Sequence, residues 1–549
     1  MIRTTLALAA ALLAASAHAD TLVINVNGIQ VGADGKLQHF GTLLIGDDGK
    51  VKQVMVPPSP RVPAVNQVVD GGGRTLLPGL IDAHGHVLGL GFSALQLDLV
   101  GTRSLADLQQ RLRDYAAAHP DARWIVGRGW NQELWPDKRF PTAADLDAAV
   151  PDRPVVLERV DGHAMVANSA AMKAAGVTAQ TAAPAGGRIE NGLFVDNATA
   201  LINKAVPPAT AAENDQALAK AQEILLSYGV TGVGSMSTTL GDWMAMRRSG
   251  ESGRLNVRLL VYADELNLLA QEPRPTPWLY GDRLRMVGIK FYADGALGSR
   301  GAWLKQPYAD MPDTHGLQFH SDAEMLSLAG QAAGRGFQVA THAIGDAANA
   351  QVISVYEQLS KKYGRDRRWR IEHFQIADPA DIPQLAPAGI IASMQPTHQT
   401  SDRLMAEKRL GPKRLAGAYA WQTVLKSGTR LAFGSDFPVE SPNPFPGLAA
   451  AVSRQDMEGQ PPGGWIPSER LTFAQALAAF TRGAAYAGFA EDRIGSLEPG
   501  KWADFIIIDR DPAAVDALQL GRTQVLETWV AGKKVWERAP TASPTERGK

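Results

Sequence analysis

Between Arg283 and Gly364 the chain reads RLRMVGIKFYADG (283–295), AEMLSLAGQAAGRG (323–336), FQVATHAIGD (337–346) and ANAQVISVYEQLSKKYG (348–364). The first and third segments are apolar runs of strand length, whereas the second and fourth are rich in Ala and Leu at helical spacing. Strand and helix in strict alternation imply parallel strands joined by helical crossovers. The alternation runs far enough along the chain to favour a closed barrel over an open sheet, so the expected fold is α/β, a (β/α)8 barrel of the TIM type.

The regions outside that core have a different rhythm. From Thr21 to about Leu77 the chain is made of short strands and tight turns, with TLVINVN, HFGTLLIGDDGKVKQVMV and VVDGGGRTLL broken at Gly-Asp-Asp-Gly and Gly-Gly-Gly. Similar material returns in IGSLEPGKWADFIIIDRDP and QVLETWVAGKKVWE. The two chain ends, 20–77 and 491–538, are therefore expected to pair into one small β-sandwich domain beside a barrel spanning 78–490. Within the barrel, the stretch from about 90 to 210 does not keep the alternation and reads as an insertion over the barrel mouth, where substrate selection would sit.

Met1 to Ala19 has an early cation at Arg3, an apolar stretch from Leu6 to Ala15, and Ala17 and Ala19 framing His18. That is the layout of a cleaved secretory signal with Asp20 as the mature start, and the apolar run is shorter than the roughly 20 residues a bilayer needs. It predicts an exported, periplasmic protein without a membrane partner after cleavage. The composition of 539–549 predicts a disordered tail.

With 45% hydrophobic and 20% charged residues among 549, the chain can bury a large core, which excludes disordered and fibrous classes. Lys plus Arg number 55 against 56 for Asp plus Glu, and no basic run is long enough to track a phosphate backbone, so nucleic acid is excluded as a partner. The chain has no cysteine, so any metal site must be built from His, Asp, Glu or a modified Lys.

LLPGLIDAHGHV places His84 and His86 two residues apart at the end of an apolar strand, and the strand period of two puts both imidazoles on one face. Lys290, His342, His373 and Asp436 each stand at the end of a further apolar run. Strand C-termini of a barrel face its active site, so all six converge. Any one of them alone would serve as a cap or as a satisfied buried polar group; six at successive strand ends would not.

His and carboxylate are ordinary ligands for Zn²⁺ and similar ions, whereas the ammonium of Lys290 would repel a cation. If Lys290 reacts with CO2 it becomes a carbamate whose two oxygens can bridge two metals; left free, it would bind a substrate carboxylate or pair with Asp436. Glu372 should point away from the site by strand alternation and serve structure. Asp294, Arg300 and Asp346 follow site strands on loops, where they would orient ligands or pair with one another.

LPGLIDAHGHV, VGIKFYADGALGSRGAWL, ATHAIGD, RIEHFQ, AFGSDFPVESPNPFPGLAAAVSR and GSLEPGKWADFIIID together resemble the amidohydrolase superfamily, in its branch related to N-substituted formamide deformylases and YtcJ-like hydrolases. The resemblance runs from about Thr21 to Glu537. It implies that His84 and His86 hold one divalent metal with Asp436, that His342 and His373 hold a second, and that Lys290 bridges as an N6-carboxylated side chain; a mononuclear site is the alternative. Zn²⁺ is the expected ion. The implied chemistry is attack by metal-activated hydroxide, with Asp436 as the general base that passes its proton to the leaving amine.

By the same resemblance the segment Asp161-Gly162-His163 lies near the substrate pocket, so that His163 would contact substrate. Trp130 in the insertion would line an apolar substrate pocket, or else belong to the core. The implied activity is hydrolysis of a non-peptide carbon-nitrogen bond in a small substrate such as an N-acyl or N-formyl amine or an N-acyl amino acid. A cyclic amide, dipeptide or ester on the same site, or a non-catalytic binding protein on this fold, are the alternatives. A small molecule is the expected partner, and a homodimer is left open as the assembly.

Overall fold

The computed structural model describes residues 20–56, 65–184 and 186–539. Residues 1–19, expected to be a signal segment, lie outside the described residues, as do those from 540 onward, expected to be a disordered tail.

Eight parallel strands form the central sheet: β1 (Leu80–Gly85), β2 (Val230–Thr238), β3 (Arg258–Asp264), β4 (Leu284–Tyr292), β5 (Gln338–Ala343), β6 (Arg370–His373), β7 (Ile391–Met394) and β8 (Arg430–Phe433). Every residue of β1, β5, β6 and β7 is buried, as expected for parallel strands covered on both faces. Helices dock on the outside: Asp322–Gly334 buries Met325, Ala329, Ala332 and Ala333, and Asp346–Tyr363 buries Val352, Ile353, Val355, Tyr356 and Leu359. Ser321 starts the first of these with a capping box completed by Glu324, and Thr210 and Glu213 do the same for the helix Ala211–Ser227.

The sheet closes where β8 meets β1. Asp436 N donates to His84 O at 2.8 Å, and His86 N donates to Phe437 O at 2.8 Å. Gly434 makes this approach possible, since a Cβ there would lie 2.5 Å from His84 N. The eight-stranded α/β barrel inferred from the alternation of segments is thus the observed core.

The two chain ends share a second unit. One six-stranded sheet runs Lys533–Glu537, Val525–Val530, Phe505–Ile508, Thr75–Pro78, Asn27–Val31 and Leu37–Phe40, so three strands from the C-terminal end join three from the N-terminal end through the pairing of Phe505–Ile508 with Thr75–Pro78. A four-stranded sheet of Val51–Met55, Thr42–Ile45, Thr21–Ile24 and Gln67–Asp70 accompanies it, with Val23, Leu43, Phe40, Leu76, Phe505 and Trp529 in a common core. Arg258, at the start of β3, pairs with Asp504 of this unit at 2.6 Å, both side chains being buried.

Between β1 and β2 the chain builds a mixed six-stranded sheet from Leu97–Asp98, Ile125–Trp130, Val155–Arg159, Ala164–Ala167, Leu193–Asp196 and Gly187–Glu190. Parallel and antiparallel pairings follow one another here, which explains why the barrel rhythm fails over this stretch. The unit has its own core, with Leu108, Leu112, Trp130, Trp135 and Leu157. Among the described residues no helix is long and apolar enough to cross a membrane.

Candidate metal centre

Strand β1 delivers His84 and His86, and the turn after β8 delivers Asp436 opposite them. Asp82 fastens the two together: its carboxylate accepts from His84 N at 3.0 Å, from Ser435 N at 3.1 Å and from Ser435 Oγ at 2.7 Å. Burial pushes the Asp82 carboxyl up to about 7. Asp436 has φ +62°, a left-handed conformation that Asp accepts more readily than most residues. Its Oδ1 lies 3.1 Å from His86 Nε2 and 3.4 Å from His84 Nε2, while its Oδ2 lies 3.6 Å from His398 Nε2.

The second nitrogen of each ring fixes what the first can do. His84 Nδ1 donates to Glu372 Oε2 at 2.6 Å, which leaves the lone pair on Nε2, a buried atom without a hydrogen-bond partner. His373 Nδ1 donates to Gln395 Oε1 at 2.9 Å, again leaving Nε2 unprotonated. Burial drives the pKa of His84 down to about 4 and that of His373 well below its ordinary value, so both rings are neutral, as metal ligation requires. Burial works the other way on Asp436, but His84, His86 and His373 outweigh it and hold the carboxyl well below the usual range.

His84, His373 and His342 form a chain of rings with centroids 4.7 Å and 4.6 Å apart. His342 turns Nε2 toward Gly295 O and Asp294 Oδ1, each at 3.4 Å, so its lone pair resides on Nδ1. Lys290 is buried with its Nζ 4.6 Å from the centre of the Tyr292 ring, and burial lowers its pKa against the opposing pull of Glu372, Asp436 and Asp264. Among the described residues, two groups of side chains have ligand atoms within 4.8 Å of one another: His84, His86 and Asp436, and His373, His398 and Asp436. The unpartnered, buried Nε2 of neutral His84, with His86 Nε2 beside it and the Asp436 carboxylate opposite, fits a divalent metal ion of the zinc type.

Two features escaped the sequence reading. The first is Glu372, which alternation had turned away from the site. It stands in register with the inward-facing His342 and points into the barrel, while His373 reaches the site because its backbone leaves the strand at φ +76°. Arg370 lies beneath, donating to both oxygens of Glu372 and to Tyr262, Ala83 O and Ser393. Arg370 and His84 overcome burial and bring the Glu372 pKa down to about 2. The second is His398, carried on the helix Pro396–Leu410 rather than at a strand end, so strand periodicity gave no signal for it.

The remaining candidates separate. His163 sits on the insertion, where Nδ1 donates to Asp196 Oδ1 at 2.9 Å and its own N donates to Asp161. Its pKa is raised: burial opposes the charge, but Asp196, Asp161 and the barrel residue Asp294 favour it. Trp130 is fully buried in the insertion core, its Nε1 donating to Leu157 O at 2.8 Å. Asp294 accepts from the backbone of Trp303, Ile344 and Gly345, Asp346 accepts from Lys305 N, and Arg300 pairs with Asp310.

Glu372→Gln should weaken metal retention by roughly 10–100-fold, because it removes the carboxylate that fixes the His84 tautomer. Titration of bound metal with a competing chelator measures this; retention equal to wild type would make Glu372 a partner of Arg370 alone.

Residues 67–536 match the model of a family described as the amidohydrolase family. A putative amidohydrolase, YtcJ, of Bacillus subtilis is 35% identical over 481 residues, covering 85% of this chain and 90% of its own. The N-substituted formamide deformylase of Arthrobacter pascens is 28% identical, covering 94% of this chain and 98% of its own. Among solved structures, a metal-dependent hydrolase of Pyrococcus horikoshii OT3 superposes with a TM-score of 0.76 at 28% identity, covering 91% of this chain and 99% of that one.

Proposed function

The chain belongs to the amidohydrolase family, and on that ground we propose that this metal-dependent hydrolase cuts a non-peptide carbon-nitrogen bond in a small amide-type substrate such as an N-acyl or N-formyl amine or an N-acyl amino acid. The observation that carries the reading is the position of Asp436: one oxygen faces the His84 and His86 nitrogens, and the other lies toward His398. A carboxylate so placed can hold a metal through one oxygen and exchange a proton through the other. The N-acyl direction is supported by the Arthrobacter pascens relative, whose name is that of a formamide deformylase.

In this reading His84, His86 and Asp436 would hold one divalent ion, Zn²⁺ being the best match to the donor types, and His342 and His373 would hold a second, with Lys290, carboxylated on Nζ, as a further ligand. A divalent ion so held lowers the pKa of water toward about 7 and polarises a carbonyl. Asp436 accepts the proton of the attacking water and delivers it to the leaving nitrogen. His163, held by Asp196, contacts the substrate. The protein works on its small-molecule substrate after export to the periplasm and removal of residues 1–19.

Elemental analysis tests the reading on mature chain purified without chelator and with bicarbonate present. About one to two equivalents of transition metal per chain are expected, lost in the His84→Ala/His86→Ala variant. A panel of N-acyl amines, N-acyl amino acids, cyclic amides, dipeptides and esters then places the bond. A chain that takes up no metal after reconstitution would sink the proposal.

A further inference from the structure

We propose that His398 is a hydrogen-bond donor to the acyl oxygen of the bound substrate, and so a catalytic residue of the centre rather than one of its metal ligands. The proposal rests on the amide-hydrolysis reading above and adds a residue to it.

His398 is the third residue of the helix Pro396–Leu410, which begins two residues after β7 ends. Its ring lies nearly parallel to that of His373, with centroids 5.9 Å apart and planes inclined by 19°, and only 7% of the residue is exposed. By position alone it qualifies as a ligand, since its Nε2 belongs to the cluster with His373 and Asp436. The other face of the ring argues against that role. Gln375 Nε2 donates to His398 Nδ1 at 2.8 Å. An amide NH2 can only donate, so Nδ1 is the acceptor, and the neutral ring carries its hydrogen on Nε2.

The contrast with its neighbours is internal to the site. His84 and His373 each donate from Nδ1 to an oxygen, of Glu372 and of Gln395, and present a lone pair inward. Gln395 is held in that orientation by Ser393, whose carbonyl its Nε2 approaches at 3.5 Å. His398 meets an amide nitrogen where the others meet an oxygen, and so presents an N–H.

That N–H is buried and unpartnered, and Asp436 Oδ2, at 3.6 Å, is too far to accept it well. A buried donor left in this state calls for an acceptor brought by the ligand. The acyl oxygen of an amide is such an acceptor, and its negative charge grows as the carbonyl is attacked. A fixed donor in a dry site therefore binds the transition state more strongly than the ground state.

Three measurements on the metal-loaded protein test the assignment. In two-bond ¹H–¹⁵N spectra of ¹⁵N-histidine-labelled protein, the ring whose signals vanish in His398→Ala is expected to be protonated on Nε2; an Nε2 that is unprotonated or metal-shifted would overturn the proposal. Metal content should be the same in His398→Ala as in wild type and reduced in His373→Ala. Loss in both to the same extent would make His398 a ligand. On p-nitroacetanilide, kcat should fall by roughly 10²–10³-fold in His398→Ala with KM little changed, and His398→Gln, which restores an N–H, should recover part of it. An unchanged kcat would also overturn it. If wild type binds metal but cleaves no amide, the functional reading fails, and the spectra and metal content still decide between donor and ligand.

Discussion

Asp436→Asn is expected to lower kcat by roughly 10²–10⁴-fold, the usual contribution of a positioned proton-transfer group, with metal content and melting temperature close to those of wild type. Asn matches Asp in shape, and it tolerates the left-handed backbone at this position (φ +62°) as well as Asp does. Its amide oxygen can still face His84 and His86 as a neutral oxygen ligand. What it cannot do is take a proton from water and release it to a leaving amine. Asp436→Ala should differ in kind, because it removes the oxygen altogether and metal should go with it. Steady-state kinetics and elemental analysis on one preparation of each variant separate the two losses. Turnover surviving in Asp436→Asn would take the proton-transfer role away from this residue.

How far the sequence foretold this site depended on which periodicity carried each residue. The barrel was legible because its strands are buried on both faces and alternate with amphipathic helices, as in 337–346 followed by 348–364. His84 and His86 were legible because they stand two apart where one buried strand ends, His84 within it and His86 just beyond it. Lys290, His342, His373 and Asp436 were found as polar interruptions at strand ends. The parity of β6 was misread because His373 looks like its last inward residue, whereas the inward positions are Arg370 and Glu372, and a left-handed backbone swings His373 in afterwards. No strand pattern can announce a conformational exception of that kind. His398 and Gln375 were silent because their meeting depends on how the loop after β6 and the helix after β7 pack, a relation between segments 23 residues apart. The insertion had no readable period because its sheet mixes both strand senses.

Asp504→Ala should destabilise the protein by about 3–5 kcal/mol, the usual cost of stranding one member of a buried ion pair. Arg258 Nε and Nη2 donate to the two Asp504 oxygens at 2.6 Å and 2.9 Å, and Nη1 donates to Asp282 O at 2.8 Å. The guanidinium also lies 4.9 Å from the centre of the Trp502 ring, and Asp504 accepts from Ala531 N. Removing the carboxylate thus leaves a fully buried cation without its counter-charge, and a backbone N–H without its acceptor. The pair sits at the N-terminal end of β3 and joins the barrel to the unit built from the chain ends, so both should loosen together. The metal centre lies at the opposite ends of the strands, and kcat of the folded variant should stay near wild type. The double change Arg258→Met/Asp504→Leu removes both charges at once and should recover much of the loss. Denaturant midpoints of the two single variants and the double variant complete the cycle. A double variant no more stable than Asp504→Ala would mean that the backbone contacts of Arg258, and not its charge pairing, hold the two units together.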